Sequence, residues 1–273
     1  MRMEVRNYML SEIKKNIKIL LLNFKYNMAR EMENRGSFIS QVVFMILNNS
    51  FAIVQWFIFF SFKNTIGGYK FNDILMLWAL ASASYGIAHL FFENVFFIPQ
   101  LIADGKLDAY ISQPLNILWN VSVSKTNPSA FGDLIYGIIL AFIAVGTSFY
   151  KIPLFILFAL LGGITMATFA ALAGCLTFWL KRGEEIAHSF HTNVIMASTY
   201  PEGIFNVFVK IVLYTVIPVG FMIYMPLQII SNLNLIYFVA VLLFDVLLML
   251  LTFYVFNKGL KKYSSSNLMN ARV

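Results

Sequence analysis

Residues 38–62 read FISQVVFMILNNSFAIVQWFIFFSF, an apolar run without one ionisable side chain. As a helix rising 1.5 Å per residue, it is about 37 Å long, enough to cross a hydrocarbon core of about 30 Å with some tilt. Five further apolar stretches follow at about 74–98, 134–150, 154–180, 205–230 and 235–256. Hydrophobic residues make up 59% of the chain and charged residues 12%, where a soluble domain carries about 25% charged residues. The mean hydropathy is +0.74. The pattern predicts an all-α polytopic membrane protein with six transmembrane helices spread over 38–256. A cytoplasmic N-terminal segment, 1–37, and a basic tail, 257–273, flank them. No polar block reaches the ~50 residues a soluble domain needs. The only cysteine, Cys175, lies in an apolar run and cannot form an internal disulfide.

Basic residues set the orientation. With both termini inside, the inner segments 1–37, 99–133, 181–204 and 257–273 hold sixteen of the twenty Lys and Arg. The outer loops 63–73, 150–153 and 231–234 hold three, and Lys210 falls near the inner end of span five. This excess favours cytoplasmic termini, and the membrane expected is the plasma membrane. The net charge of +7 then marks contact with anionic membrane lipid rather than with nucleic acid. Residues 1–37 are too charged, and the first span too long, for a cleaved signal peptide. Within them, Ile13, Ile17, Leu20, Leu21, Phe24 and Met28 recur at helical spacing, with Lys14, Lys15, Lys18 and Lys25 between them. That is an amphipathic helix lying along the membrane surface, as a lipid anchor or as a dock for a partner.

The outer loops are too short to build a ligand-binding domain. The inner connection 99–133 has more texture. Pro99 ends span two, Asp104-Gly105 is turn chemistry, and Leu107, Tyr110, Ile111 and Leu115 form a short amphipathic stretch broken by Pro114. In the connection 181–204, a semi-polar helix over Ile186–Ser198 precedes Tyr200-Pro201. Inside span five, Pro218 and Pro226 predict a helix that is broken, re-entrant towards the outer face, or simply kinked.

Catalytic and nucleotide motifs are missing. There is no Gly-x-x-x-x-Gly-Lys-Ser/Thr loop, His-Glu-x-x-His helix or nucleophile elbow. The expectation is a chain that is not itself an enzyme and carries no cofactor or metal of its own. His188 and His191, with Glu184 and Glu185 one turn earlier, are half a metal site or the solvated face of an inner-loop helix. His89 and Glu93, four apart, can pair across one turn. Gly162, Gly163 and Gly174 with neighbouring alanines let another helix approach closely. Asp245, mid-span among leucines, must face the bundle interior, a cavity or a partner. It either lines a pathway or gate or makes a structural hydrogen bond to a neighbouring helix.

Three phrases in order carry a family resemblance. They are Tyr26-Asn27-Met28-Ala29-Arg30-Glu31-Met32-Glu33-Asn34-Arg35-Gly36, then Gly105-Lys106-Leu107-Asp108-Ala109-Tyr110-Ile111-Ser112-Gln113-Pro114-Leu115-Asn116, and last Tyr200-Pro201, Ile217-Pro218 and Tyr224-Met225-Pro226. With the six-span layout, the chain resembles the small branch of the ABC-2 type membrane subunits of ABC transporters. The resemblance implies a permease subunit of an ATP-driven exporter. Two soluble P-loop ATPase subunits, holding the ATP and magnesium, would dock from the cytoplasm. A second six-span permease, the same chain or a related one, would complete the pathway. The 99–120 loop would couple the ATPase through Asp104, Gly105, Lys106, Leu107, Asp108, Tyr110 and Pro114. Asp245, Glu93, His89, Pro218 and Pro226 would be pathway or gate candidates. The competing readings are a membrane scaffold or sensor that recruits a cytoplasmic partner, and an intramembrane enzyme using Glu93, His89 or Asp245. The substrate, whether drug, peptide, lipid or glycan, is not written in the sequence.

Overall fold

The computed structural model describes residues 2–263, with the backbone alone for residues 2–10 and Ile13; the last ten residues of the expected basic tail, 264–273, lie outside the described residues. The elements are α1 (Arg2–Glu31), α2 (Arg35–Phe62), α3 (Phe71–Phe91), α4 (Ile98–Ala103), α5 (Asp108–Ile111) and α6 (Ile117–Ser122). They continue with α7 (Ala130–Val145), α8 (Ile152–Gly174), α9 (Gly183–Ser198), α10 (Val207–Thr215), α11 (Met225–Asn232) and α12 (Leu235–Leu260). Four helical stretches are long and apolar enough to cross a bilayer: Lys14–Phe62, Phe71–Phe91, Phe149–Phe178 and Leu235–Leu260. The pair α10 and α11, bent by 85°, passes the same test only when taken together.

α3 is the centre of the bundle, buried along almost its whole length. α7 and α8 pack on it, α2 covers α7, and α9 and α12 cover α8. Small residues make these approaches possible. A Cβ on Gly86 would fall 2.7 Å from the Leu134 backbone nitrogen, and one on Gly137 would fall 2.7 Å from that of Ala83, so α3 and α7 are interlocked in both directions. Gly163 faces Ile87 of α3 at the same distance, and Gly174 faces Ile98 and Pro99. The small residues of the fourth span are therefore packing surface. Apolar side chains such as Phe44, Phe51 and Phe62 on α2 and Ile236 and Leu247 on α12 point outward. A soluble protein does not expose a belt of this size.

The bundle has two ends. One holds the 63–70 loop, where Ile66 and Tyr69 exchange backbone hydrogen bonds of 3.0 Å around Gly67-Gly68, both at positive φ. The other holds residues 92–129. α1 lies against this second end. Trp119 Nε1 donates to the Asn16 carbonyl at 3.3 Å, and Asn27 Nδ2 donates to the Ser124 carbonyl at 3.1 Å. The side of α1 turned to the protein carries Asn16, Leu20, Phe24, Asn27 and Met28, while Ile17 and Leu21 are exposed. The expected single apolar face is thus split between the protein and the outside.

Several boundaries move. The second helix stops at Phe91 rather than near Ile98, and a 3-10 turn Glu93–Phe97 follows. Pro99 does not end it but sits in the first turn of α4, where its missing N–H costs nothing. α7 starts four residues before the expected span and ends where Gly146 takes φ 56°.

The larger correction concerns 181–230. At one end of α9, Gln100 Nε2 donates to Glu184 Oε1 at 2.9 Å, beside α4. At the other end, Gly203 sits against the Gly67 backbone of the 63–70 loop, and Tyr200 packs on Trp56 of α2 with ring centroids 5.8 Å apart. Burial, and then the nearby Glu202 carboxylate, pushes the Tyr69 hydroxyl up to about 12. Residues 183–203 therefore connect the two ends of the bundle and are not a connection lying at one of them. α10 then dips from the 63–70 end as far as Ile217, which shares a recess with Phe190 and Asn193 near the middle of α9. The chain turns at Pro218. Through a π-helical segment Gly220–Tyr224 and α11 it returns to Ser231 and Asn232, beside Gly68 and Asp73. Of the sequence alternatives for 205–230, this is the broken, re-entrant form. Pro226 does not make the bend; it lies in the first turn of α11. Tyr224 Oη holds the hairpin by donating to the Ala197 carbonyl at 2.8 Å, one of the last carbonyls of α9.

Candidate functional site

The loop 98–116 divides into anchors and surface. Gly105, at φ 70°, closes α4, and its left-handed backbone lets Lys106 N return to the Leu101 carbonyl at 2.9 Å. Leu107 is 0% exposed and plugs the core. Tyr110 turns its hydroxyl inward, accepting from Asn94 Nδ2 at 3.0 Å and lying 3.1 Å from Ser124 Oγ. Asp108 is half-buried beside Tyr263, whose hydroxyl is pushed up to about 12 by burial and then by the Asp108 carboxylate. The surface of the loop includes Asp104 and Lys106, paired at 2.7 Å, and Ala109, Ile111, Ser112, Gln113 and Pro114. Of the seven coupling candidates, three are thus exposed and four hold the loop in shape.

Above this loop a cavity of about 630 Å³ collects side chains from α3, the 3-10 turn, α4 and α9. His89 and Glu93 are in it, in contact through Nδ1 and Oε2 as their spacing predicts, with His89 Nε2 buried and unpartnered. The His89 ring lies between Tyr85 and Phe96, with centroids at 4.0 and 4.1 Å, and His191 of α9 comes to 5.4 Å. His191 is therefore not on a solvated outer face. Glu184, Glu185 and His188 line the same cavity from α9. Among the described residues no group of three or more His, Cys, Asp or Glu is arranged to hold a metal ion.

Tyr85 also borders a second cavity, of about 390 Å³, on the same α3–α9 side but nearer the 63–70 end. Its wall contains Asp133, which the sequence reading assigned to a loop because the apolar run was counted from Leu134. The structure places Asp133 in the first turn of α7, 5% exposed, with Oδ1 accepting from Asn49 Nδ2 at 2.7 Å. The polar pair Asn48-Asn49 inside the first span was the available signal, because an amide buried in an apolar span needs a partner on another helix. Asp245 meets the hydrogen-bonding alternative: Thr165 Oγ1 of α8 lies 2.5 Å from its Oδ1. The structure groups His89 with Glu93 and leaves Asp245, Pro218 and Pro226 elsewhere.

The described residues form a helical bundle with a lipid-facing belt, a re-entrant hairpin at one end, an anchored surface loop at the other and polar cavities between. The family model for an ABC-2 family transporter protein matches residues 46–267. The chain belongs to the ABC-2 transporter family. No curated protein and no solved structure matches it. Membership makes this ABC-2 chain an integral membrane transport component, not itself catalytic, and implies association with ABC ATPases in general. The match begins inside α2, so α1 lies outside the matched residues.

Proposed function

We propose that the chain is the permease subunit of an ATP-driven exporter in the plasma membrane. Six segments cross: α2, α3, α7, α8, α9 and α12. The 92–129 end, with both termini, faces the cytoplasm. Moving the fifth crossing to α9 carries Lys210 to the outer side, and sixteen of the twenty Lys and Arg still belong to the inner segments.

The observation that carries the reading is the surface of α9. Gly183, Ala187, Val194 and Ser198 pack inward, while Glu184, Glu185, His188, Ser189, Thr192 and Asn193 are exposed. Glu184 and Glu185 stand in the first turn of α9, and His188, Ser189, Thr192 and Asn193 carry the polar face to its middle, where ionisable and polar side chains face a bundle interior, a water-filled cavity or a partner rather than lipid. A crossing helix with this face requires a water-filled path or another protein against it. A second six-span permease, identical or related, supplies that cover, and the translocation path runs along α9 past both cavities. Two ATPase subunits holding ATP and magnesium dock on Asp104, Lys106, Ile111 and Pro114. The rigid attachment of this loop through Leu107 and Tyr110 would transmit their movement to α3.

A mild-detergent purification of the tagged chain, with mass spectrometry of what stays bound, tests the proposal. A stoichiometric P-loop ATPase together with a six-span chain is the expected result. A chain recovered alone, without ATP-dependent transport in its native membrane, would return the weight to the scaffold reading.

A further inference from the structure

The second cavity has a chemical signature of its own. Asp133 is 5% exposed, and its Oδ2 has no partner although it lies in the wall of a 390 Å³ space. Asn49 satisfies only Oδ1, and is itself fixed by the helix whose Asn49 carbonyl accepts from Tyr136 Oη at 3.2 Å. No Lys, Arg or His lines the cavity, and among the described residues no cation pairs with Asp133. A carboxyl removed from water takes up either a proton or a counter-charge, and here the protein itself provides no counter-charge.

The rest of the wall suits the body of an organic cation. Trp78 and Tyr85 offer aromatic surface, and Met45, Met166, Met196 and Met222 offer polarisable, adaptable surface. Trp78 Nε1 is a second buried group without a partner in the same wall. The volume lies within the range of small-molecule sites, about 300–1,000 Å³. The cavity opens on the exposed side of α2 and α9, where Asn48, Met196 and Tyr200 are exposed, so a ligand can reach Asp133 without unfolding the bundle.

We infer that this cavity is a binding site for lipophilic organic cations, with Asp133 as the counter-ion and the Trp78, Tyr85 and methionine wall holding the apolar body. The site needs the chain to be a membrane-embedded transport component; it does not depend on export direction or on ATPase stoichiometry.

The test is equilibrium binding to the full chain with its copurifying partners, in nanodiscs, without nucleotide and with empty nanodiscs subtracted. The probes are phenyltrimethylammonium and its uncharged isostere tert-butylbenzene, which differ in charge and hardly in shape. The native chain should prefer the cation by about tenfold or more, the effect of one close ion pair in a partly desolvated site. Asp133→Asn should bring the two probes to equal affinity while leaving tert-butylbenzene unchanged, and Asp133→Glu should keep the preference. Equal binding of both probes by the native chain, or a preference that survives Asp133→Asn, overturns the site. Should Asp133→Asn fail to fold, Ala81→Phe fills the cavity with the carboxylate intact; both probes should then lose binding, and retained cation binding overturns the site. Failure here leaves the ATPase purification result unaffected, so the two proposals fall separately.

Discussion

Leu107 and Lys106 are neighbours with opposite duties. Leu107 is wholly buried, and removing its side chain opens a cavity in the core. Leu107→Ala should cost about 2–5 kcal/mol whether or not an ATPase is present. Lys106 and Asp104 pair only with each other and are 68% and 51% exposed. Reversing both, Asp104→Lys with Lys106→Glu, should change stability by less than ~0.5 kcal/mol and yet abolish ATPase association. Thermal melting of the detergent-purified variants separates the first effect. Copurification of the ATPase separates the second, and a charge-reversed loop that still holds the ATPase would remove Asp104 and Lys106 from the interface. Only the presence of this amphipathic loop was legible beforehand. Leu107, Tyr110 and Ile111 look alike to a helical wheel, and it took the contacts with Asn94 and Ser124 to show that Tyr110 faces in while Ile111 faces out.

At the scale of elements, α9 and the α10–α11 hairpin exchange the roles their hydropathy suggests. The hairpin is the more apolar of the two, but Pro218 removes a backbone donor, and the chain bends by 85°. α9 is only semi-polar, but its buried residues, four and seven apart, let it lie along α8. Asn193 and Thr192 use their polar atoms only within α9, Asn193 Nδ2 donating to the Ser189 carbonyl at 2.7 Å and Thr192 Oγ1 to the His188 carbonyl at 3.0 Å. Thr192→Leu with Asn193→Leu should therefore leave the fold near its native stability. Transport, or association with the second permease, should fall by about tenfold or more because that surface faces water or protein. Native transport and assembly in the double variant would mean that this face of α9 meets lipid.

For the whole molecule, the sharpest consequence is topological. Cys175 is buried, so a background with Cys175→Ala allows single cysteines to be mapped by a membrane-impermeant thiol reagent. Ile204→Cys should label from the same side as Gly68→Cys, and Ser112→Cys from the opposite side. A fifth span at 205–230 entered from the cytoplasm would put position 204 with position 112. This result also decides the side on which the re-entrant hairpin opens.

The apolar runs by themselves determined that the chain is helical and that it lives in a membrane, and Pro218 and Pro226 narrowed the path inside 205–230 to a break, a re-entry or a kink. Each of these follows from a property summed along the chain: transfer of successive residues out of water, or a backbone donor that proline lacks. Three phrases in order further sufficed for the family. What only the tertiary structure decided were questions of facing. Gly183, Ala187, Val194 and Ser198 make α9 a helix connecting both ends of the bundle, Leu107 anchors a loop that leaves Asp104, Lys106 and Ile111 on the surface, and Asp133 belongs to a cavity wall. Hydropathy averages around a helix, whereas burial depends on which side of it meets another helix, and that is set by residues distant in the chain.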